Sequence, residues 1–323
     1  MTPAAAASAV AAAAERLRPL VVCTPLLPSP RLSRACAADV RLKLENVQHT
    51  GSFKFRGASN ALACLAPARR RAGVVAASSG NHGLALASAA AALGIAATVY
   101  VPTTTPGEKR AAISAHGAEV VVHGDDCVIA EAEARAVAAA TGRVYLSPYN
   151  DPDVLAGQGT IAVELLEQWP DVDTVYVAMG GGGLLAGMAA YAKAARPRIE
   201  FVACSPAQSP AMAACVRAGR IVDVPCHDTF SDSTAGGVEP GAVTFELCRT
   251  LVDRWLEVDE RAIAVAVADA LEHSHLLVEG AAGVALAACR QDAAVRGRRA
   301  AVVVCGANVP LARLRAMLAF AGR

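Results

Sequence analysis

Short apolar runs recur along the chain: VRLKL (40–44), GVVAA (73–77), ATVYV (97–101), EVVV (119–122), RVYL (143–146), DTVYVAM (173–179), IEFVAC (199–204) and AVVVC (301–305). Most are apolar throughout rather than alternating, the pattern of strands covered on both faces. Longer stretches with helical character separate them, at 84–93, 106–116, 127–141, 152–168, 184–196, 261–273 and 281–290. Strand–helix alternation predicts parallel sheets joined by right-handed crossovers, an α/β fold. So many units exceed one comfortable sheet, so two domains are expected. The smaller would occupy 73–150, with four strand–helix units, and the larger would be assembled from 1–72 and 151–323.

Composition narrows the function classes. Of 323 residues, 54% are hydrophobic and 18% charged, enough for a sizeable core and against disorder. A net charge of +1 argues against a nucleic-acid surface, and 4% aromatics argue against a base-stacking platform. The Ala-rich stretch 4–14 lacks the basic flank of a signal peptide. The uncharged run 84–101 reaches membrane-spanning length, but Gly94 splits it into a helical part and a strand, so no membrane segment is expected. The ten cysteines include no CxxC pair, and no two lie within ten positions. They read as small buried hydrophobes of a reducing cytoplasm. Only Lys43, Lys54, Lys109 and Lys193 are lysines, which suggests a coding bias and a reason for each that remains.

Four places carry chemistry. Lys54 sits between Phe53 and Phe55 in Ser-Phe-Lys-Phe-Arg-Gly. Burial would lower its pKa and free an amine for a Schiff base, or its stem could simply pack on the aromatics. Ser78-Ser79-Gly80-Asn81-His82-Gly83 joins a strand to a helix start, where free N–H groups either meet an anion or are an ordinary cap. Gly180, Gly181, Gly182 and Gly183 lie between another strand and helix and would wrap closely round a phosphate. A dinucleotide reading of these glycines is weak, because the following strand ends in Ser205 rather than an acid. Cys305 ends a strand, where α/β sheets bind ligands, or it is a buried core cysteine. No GxSxG or HExxH motif occurs, and His273 and His275 lie two apart without partners at zinc-ligand spacing.

Together these parts suit pyridoxal phosphate. The segments LKLENVQHTGSFKFRGASNAL, VVAASSGNHGLALA, VLAGQGTIAVELL, MGGGGLLAG, VEGAAGVALAA and CGANV resemble, in order, the serine/threonine dehydratase and serine racemase family. The resemblance implies the two-domain fold type II architecture of the tryptophan synthase β subunit, with pyridoxal 5'-phosphate in the interdomain cleft. Lys54 would carry the cofactor as a Schiff base, with Phe53 beside it. Gly180 to Gly183, with Leu184, would bind its phosphate. Asn81 would meet the pyridine 3-oxygen, and Cys305 the ring nitrogen. Ser78, Ser79, Gly80, Asn81 and His82 would grip the substrate carboxylate, with Tyr149 near the substrate side. A thiol cannot keep the ring nitrogen protonated as an aspartate would, and a weaker electron sink suits elimination.

The resemblance therefore implies an ammonia-lyase that converts an L-threonine- or L-serine-type 3-hydroxy amino acid to a 2-oxo acid and ammonia. Lys54 would be the base, and Ser79 a second catalytic group. Ser79 also keeps a racemase open, since the racemases have serine there. Tyr149 in SPYNDP looks like the dehydratases instead. The segment from Phe230 to Gly237 departs from the usual threonine-dehydratase form. A bulkier substrate, such as phenylserine or a hydroxyectoine-derived amino acid, is therefore an alternative, and a non-catalytic or NAD-binding α/β protein is another. Ser205, Pro210 and Ala211 stand where the family's divalent-cation site has acids, so no such metal is expected. A homodimer or other homo-oligomer is expected. So is the absence of a C-terminal regulatory domain, since only 15 residues follow Asn308.

Overall fold

The structure, a computed structural model, describes residues 1–323. Its ten strands are β1 (Leu26–Pro28), β2 (Asp39–Leu44), β3 (Val74–Ala77), β4 (Ala97–Val101), β5 (Glu119–Val122), β6 (Val144–Tyr145), β7 (Thr174–Ala178), β8 (Glu200–Pro206), β9 (Arg254–Val258) and β10 (Arg299–Val304). Six form a sheet in the order β1-β2-β10-β7-β8-β9, parallel except where β1 pairs with β2. The other four, all between residues 74 and 145, form a parallel sheet in the order β5-β4-β3-β6.

Several of the continuous apolar runs became strands covered on both faces, while EVVV and RVYL gave the partly exposed edge strands β5 and β6. Val175, Tyr176 and Val177 of β7 and Val302, Val303 and Val304 of β10 are all fully buried. β1 and β9 carry no such signal; both are edge strands of the six-stranded sheet. β9 reads RWLEV and is half-buried for most of its length.

The helix Lys54–Cys64 is the element least visible beforehand. Its sequence, KFRGASNALAC, holds Gly57, Ser59 and Asn60, which favour helices weakly. Tertiary packing supplies the stability instead. Gly57 lies so close to the helix Pro152–Gln168 that a Cβ would stand 2.3 Å from Gln158 Nε2, and Gly57 N–H donates to Gln158 Oε1 at 3.0 Å. Phe55, Ala58, Ala61 and Leu62 of this helix join the core of the smaller sheet with Val74, Leu86 and Val99. The helix therefore reaches from the larger sheet's surroundings into the smaller sheet's core, and it holds Lys54 at its first turn.

A buried charge network fixes the same region. Arg56 is fully buried and donates to Glu45 (2.8 and 2.9 Å) and Glu164 (2.6 and 3.0 Å). Lys43, equally buried, donates to Glu164 at 2.5 Å, the Thr24 carbonyl at 2.7 Å and Gln168 at 3.0 Å. One surviving lysine is thus explained by structure rather than chemistry. No helix is long and apolar enough to cross a membrane.

Candidate active site

Two helix starts and two strand ends converge on Lys54. The Ser78–Gly83 turn follows β3 and opens the helix Asn81–Ala92. The N–H groups of Ser79, Asn81, His82 and Gly83 find no backbone acceptor. The glycine turn follows β7 and opens the helix Gly183–Ala195. None of the N–H groups from Gly180 to Leu185 finds a backbone acceptor either. Each turn is therefore a cradle of free donors at the positive end of a helix.

Gly182 sits at φ +87°, in the left-handed region that favours glycine. At Gly181 a Cβ would stand 2.4 Å from Cγ of Tyr149, so only glycine lets the loop lie on that ring. Tyr149 is held in turn by the Glu239 N–H, which donates to its hydroxyl at 2.9 Å. The structure thus places Tyr149 against the glycine loop, whereas the resemblance put it on the substrate side.

Two adjoining cavities meet at Lys54. One, of about 190 Å³, is lined by Phe53, Lys54, Asn81, Gly180 to Leu184 and Cys305. The other is a cleft of about 530 Å³, lined by Lys54, Ser78 to His82 and, across from them, Asp232 and Asn308. Lys54 Nζ donates to the Pro148 carbonyl at 2.8 Å and lies 5.2 Å from the Phe53 ring centre. Burial pushes its pKa down to about 8, although Glu279 and Cys305 pull it the other way. Phe55 instead points into the core, edge-on to His49.

Residues 17–306 match the family of pyridoxal-phosphate-dependent enzymes. The chain belongs to that family. It is 39% identical over 293 residues to L-threonine ammonia-lyase of Thermotoga maritima, covering 91% of this chain and 73% of the relative. The solved structure of the processed form of threonine deaminase isoform 2 from Solanum lycopersicum superposes with a TM-score of 0.92. That pair is 30% identical, covering 97% of this chain and 93% of the other. Maize serine racemase gives a TM-score of 0.90 at 32% identity, covering 97% and 96%. The architecture is accordingly fold type II, α/β with two sheets.

The residues present fit pyridoxal phosphate. A poised amine, a cradle of unpartnered N–H groups, a buried thiol and a buried amide surround one small cavity. Burial and the nearby Glu279 carboxylate both push the Cys305 thiol up, so it is uncharged. His82 Nε2 donates to the Leu146 carbonyl at 3.0 Å, while its Nδ1 is buried without a partner. Burial and the Lys54 charge lower its pKa to about 3, so the ring is neutral. Its Nε2 is tied to the smaller sheet's loop, and the residue also lines the cleft.

Glu279, Ser233 and Asn308 are the site residues to which motif reading gave no role, although Ser233 lies in the segment from Phe230 to Gly237. Asn81 Nδ2 donates to both Glu279 oxygens, at 3.0 and 2.9 Å, and Ser233 Oγ donates to Glu279 at 3.0 Å. Cys305 Sγ lies 3.9 Å from the same carboxylate. Asn308 Nδ2 donates to Asn81 Oδ1 at 2.7 Å. Burial raises the Glu279 pKa, opposed by the Asn81 and Ser233 donors. Glu279 and Asn308 stand inside VEGAAG and CGANV, and an acid directly before Gly-Ala-Ala-Gly at a helix start was the available signal.

Proposed function

We propose that this chain is an ammonia-lyase that converts L-threonine or L-serine to a 2-oxo acid and ammonia. The observation that carries the reading is Lys54. Its buried amine stands where the glycine cradle's cavity meets the cleft with the second N–H cradle. Two anions, a cofactor phosphate and a substrate carboxylate, can then be held on either side of one base.

Bound pyridoxal phosphate supplies the electron sink that acidifies the substrate's α-carbon. Gly180 to Leu184 hold its phosphate through backbone N–H groups, and Cys305 and Asn81 face its ring. The N–H groups of Ser79, Asn81, His82 and Gly83 hold the substrate carboxylate. Lys54 Nζ removes the α proton, for which an amine with a pKa near 8 is well suited. The β-hydroxyl departs with a proton as water. Hydrolysis of the released enamine gives the 2-oxo acid and ammonia. Cys305, uncharged, would stand beside the ring nitrogen and would leave the ring a weaker electron sink than a carboxylate would. Residues 73–150, with the four-stranded sheet, form the smaller domain that faces the larger one across the cleft.

A racemase is the second reading. Ser79 lines the cleft and could return a proton to the opposite face. The test is 2-oxo acid release from L-threonine, L-serine and L-phenylserine by cofactor-loaded protein, with Lys54→Ala as control. Turnover of L-threonine or L-serine that disappears in Lys54→Ala supports the proposal. Near-normal turnover in that variant, or D-serine forming faster than pyruvate, overturns it.

A further inference from the structure

A third cavity, of about 260 Å³, lies away from the cleft, between the six-stranded sheet and the helices Pro30–Cys36, Glu260–Ser274 and Gly280–Gln291. Its floor is apolar, formed by Leu32, Leu42, Leu276, Val278, Leu286 and Val304. Its polar groups are few. Ser29 is only 7% exposed, yet its hydroxyl makes no capping bond to the helix it precedes. Ser274, Arg31, Arg290 and Asp269 complete the rim.

The charge at the rim is unbalanced. Asp269 faces Arg290 at 2.5 Å, Arg323 at 3.4 Å and Arg31 at 3.7 Å. Glu272 adds one more carboxylate, 3.5 Å from Arg323. His273 Nε2 lies 3.7 Å from Asp269 and 3.6 Å from Glu272. Three guanidiniums thus share two carboxylates, which leaves a positive excess for an anion. Arg31 and Arg290 are each about half exposed, which leaves donors free to turn toward a ligand.

The cavity is also joined to the active site through the backbone. Val304 lines it, and the next residue, Cys305, lines the cofactor cavity. β10 ends at Val304, so the two cavities meet at the carboxyl end of that strand. Val278 lines it, and the next residue is Glu279, the carboxylate that binds Asn81 and Ser233.

We propose that this cavity is an effector site for a small aliphatic monocarboxylate. The branched tail lies among the leucines and valines, and the carboxylate accepts from Arg31, Arg290 and the Ser29 hydroxyl. An apolar floor with a few convergent donors is the usual make-up of a small-molecule site. Occupancy shifts Val278 and Val304, and through them Glu279, which holds Asn81, and Cys305.

The test is calorimetric titration of cofactor-loaded protein with 4-methylpentanoate and with its neutral amide. The acid should bind, and the amide should bind at least about tenfold more weakly, as the loss of a charge-assisted contact predicts. Arg290→Gln should weaken the acid about tenfold as well. Ala270→Leu, which fills the cavity from the helix Glu260–Ser274, should abolish binding while leaving turnover without the acid unchanged. Ala35→Leu at the rim serves the same purpose if the first variant is unstable. The acid should shift the substrate KM of the parent protein and not that of the filled variant. Equal binding of acid and amide, no binding by the parent protein, or undiminished binding by the filled variants would each overturn the proposal. In the last case the acid would be occupying the Ser78–Gly83 cradle instead. The binding arm is independent of which substrate the enzyme turns over.

Discussion

Gly181→Ala tests whether the glycine loop is shaped by the ring beneath it. The added Cβ would stand 2.4, 2.5 and 2.6 Å from Cγ, Cδ1 and Cδ2 of Tyr149. Carbon atoms prefer separations of about 3.5–4.0 Å, so loop and ring must part by roughly 1 Å. The ring cannot yield freely, because its hydroxyl is held by the Glu239 N–H and its backbone lies against Gly183. Overpacking of this kind costs about 1–3 kcal/mol. If the strain falls on the loop's grip of the phosphate, the apparent Kd for pyridoxal phosphate should rise roughly 5- to 150-fold, at about 1.4 kcal/mol per tenfold. The assay is absorbance titration of the unloaded protein with pyridoxal phosphate, with circular dichroism to confirm folding. Tyr149→Ala in the same chain should recover much of the loss, because it removes the atoms that clash. A Gly181→Ala protein that binds the cofactor within about twofold of the parent would refute the packing argument. So would a double variant with no recovery.

Three further outcomes follow from the geometry. Arg56→Ala leaves Glu45 buried without its charge partner and removes a main partner of Glu164, and should cost about 3–5 kcal/mol of stability by urea unfolding; a loss under about 1 kcal/mol would mean that the network contributes little. Burial lowers Lys54 to about 8, so its free-amine fraction grows as pH rises. The rate at which unloaded protein captures pyridoxal phosphate should therefore climb to about pH 8 and then level off; a climb continuing toward the ordinary lysine value of about 10.4 would contradict the burial argument. Ser79→Ala should abolish D-serine formation from L-serine and leave most 2-oxo acid release; chiral chromatography that still finds D-serine would remove Ser79 from that role.

The sequence by itself determined the fold class, since strands buried on both faces must read as unbroken apolar runs, and those that became β7 and β10 did. It also made Lys54, the Ser78–Gly83 turn and the glycine run visible, because free N–H groups at a helix start need small residues at adjacent positions. Tertiary structure alone decided the rest. The helix Lys54–Cys64 forms on a weak local signal, because its glycine admits the neighbouring helix and its apolar side chains complete another sheet's core. The meeting of Glu279 with Asn81 spans 198 residues, and that of Asn308 with Asn81 spans 227. No periodicity records such pairs, because each depends on where two crossovers end rather than on local spacing. Tyr149 shows the same limit. Its residue type was legible, but which side of the site its ring occupies was settled by the absent side chain of Gly181 and the N–H of Glu239.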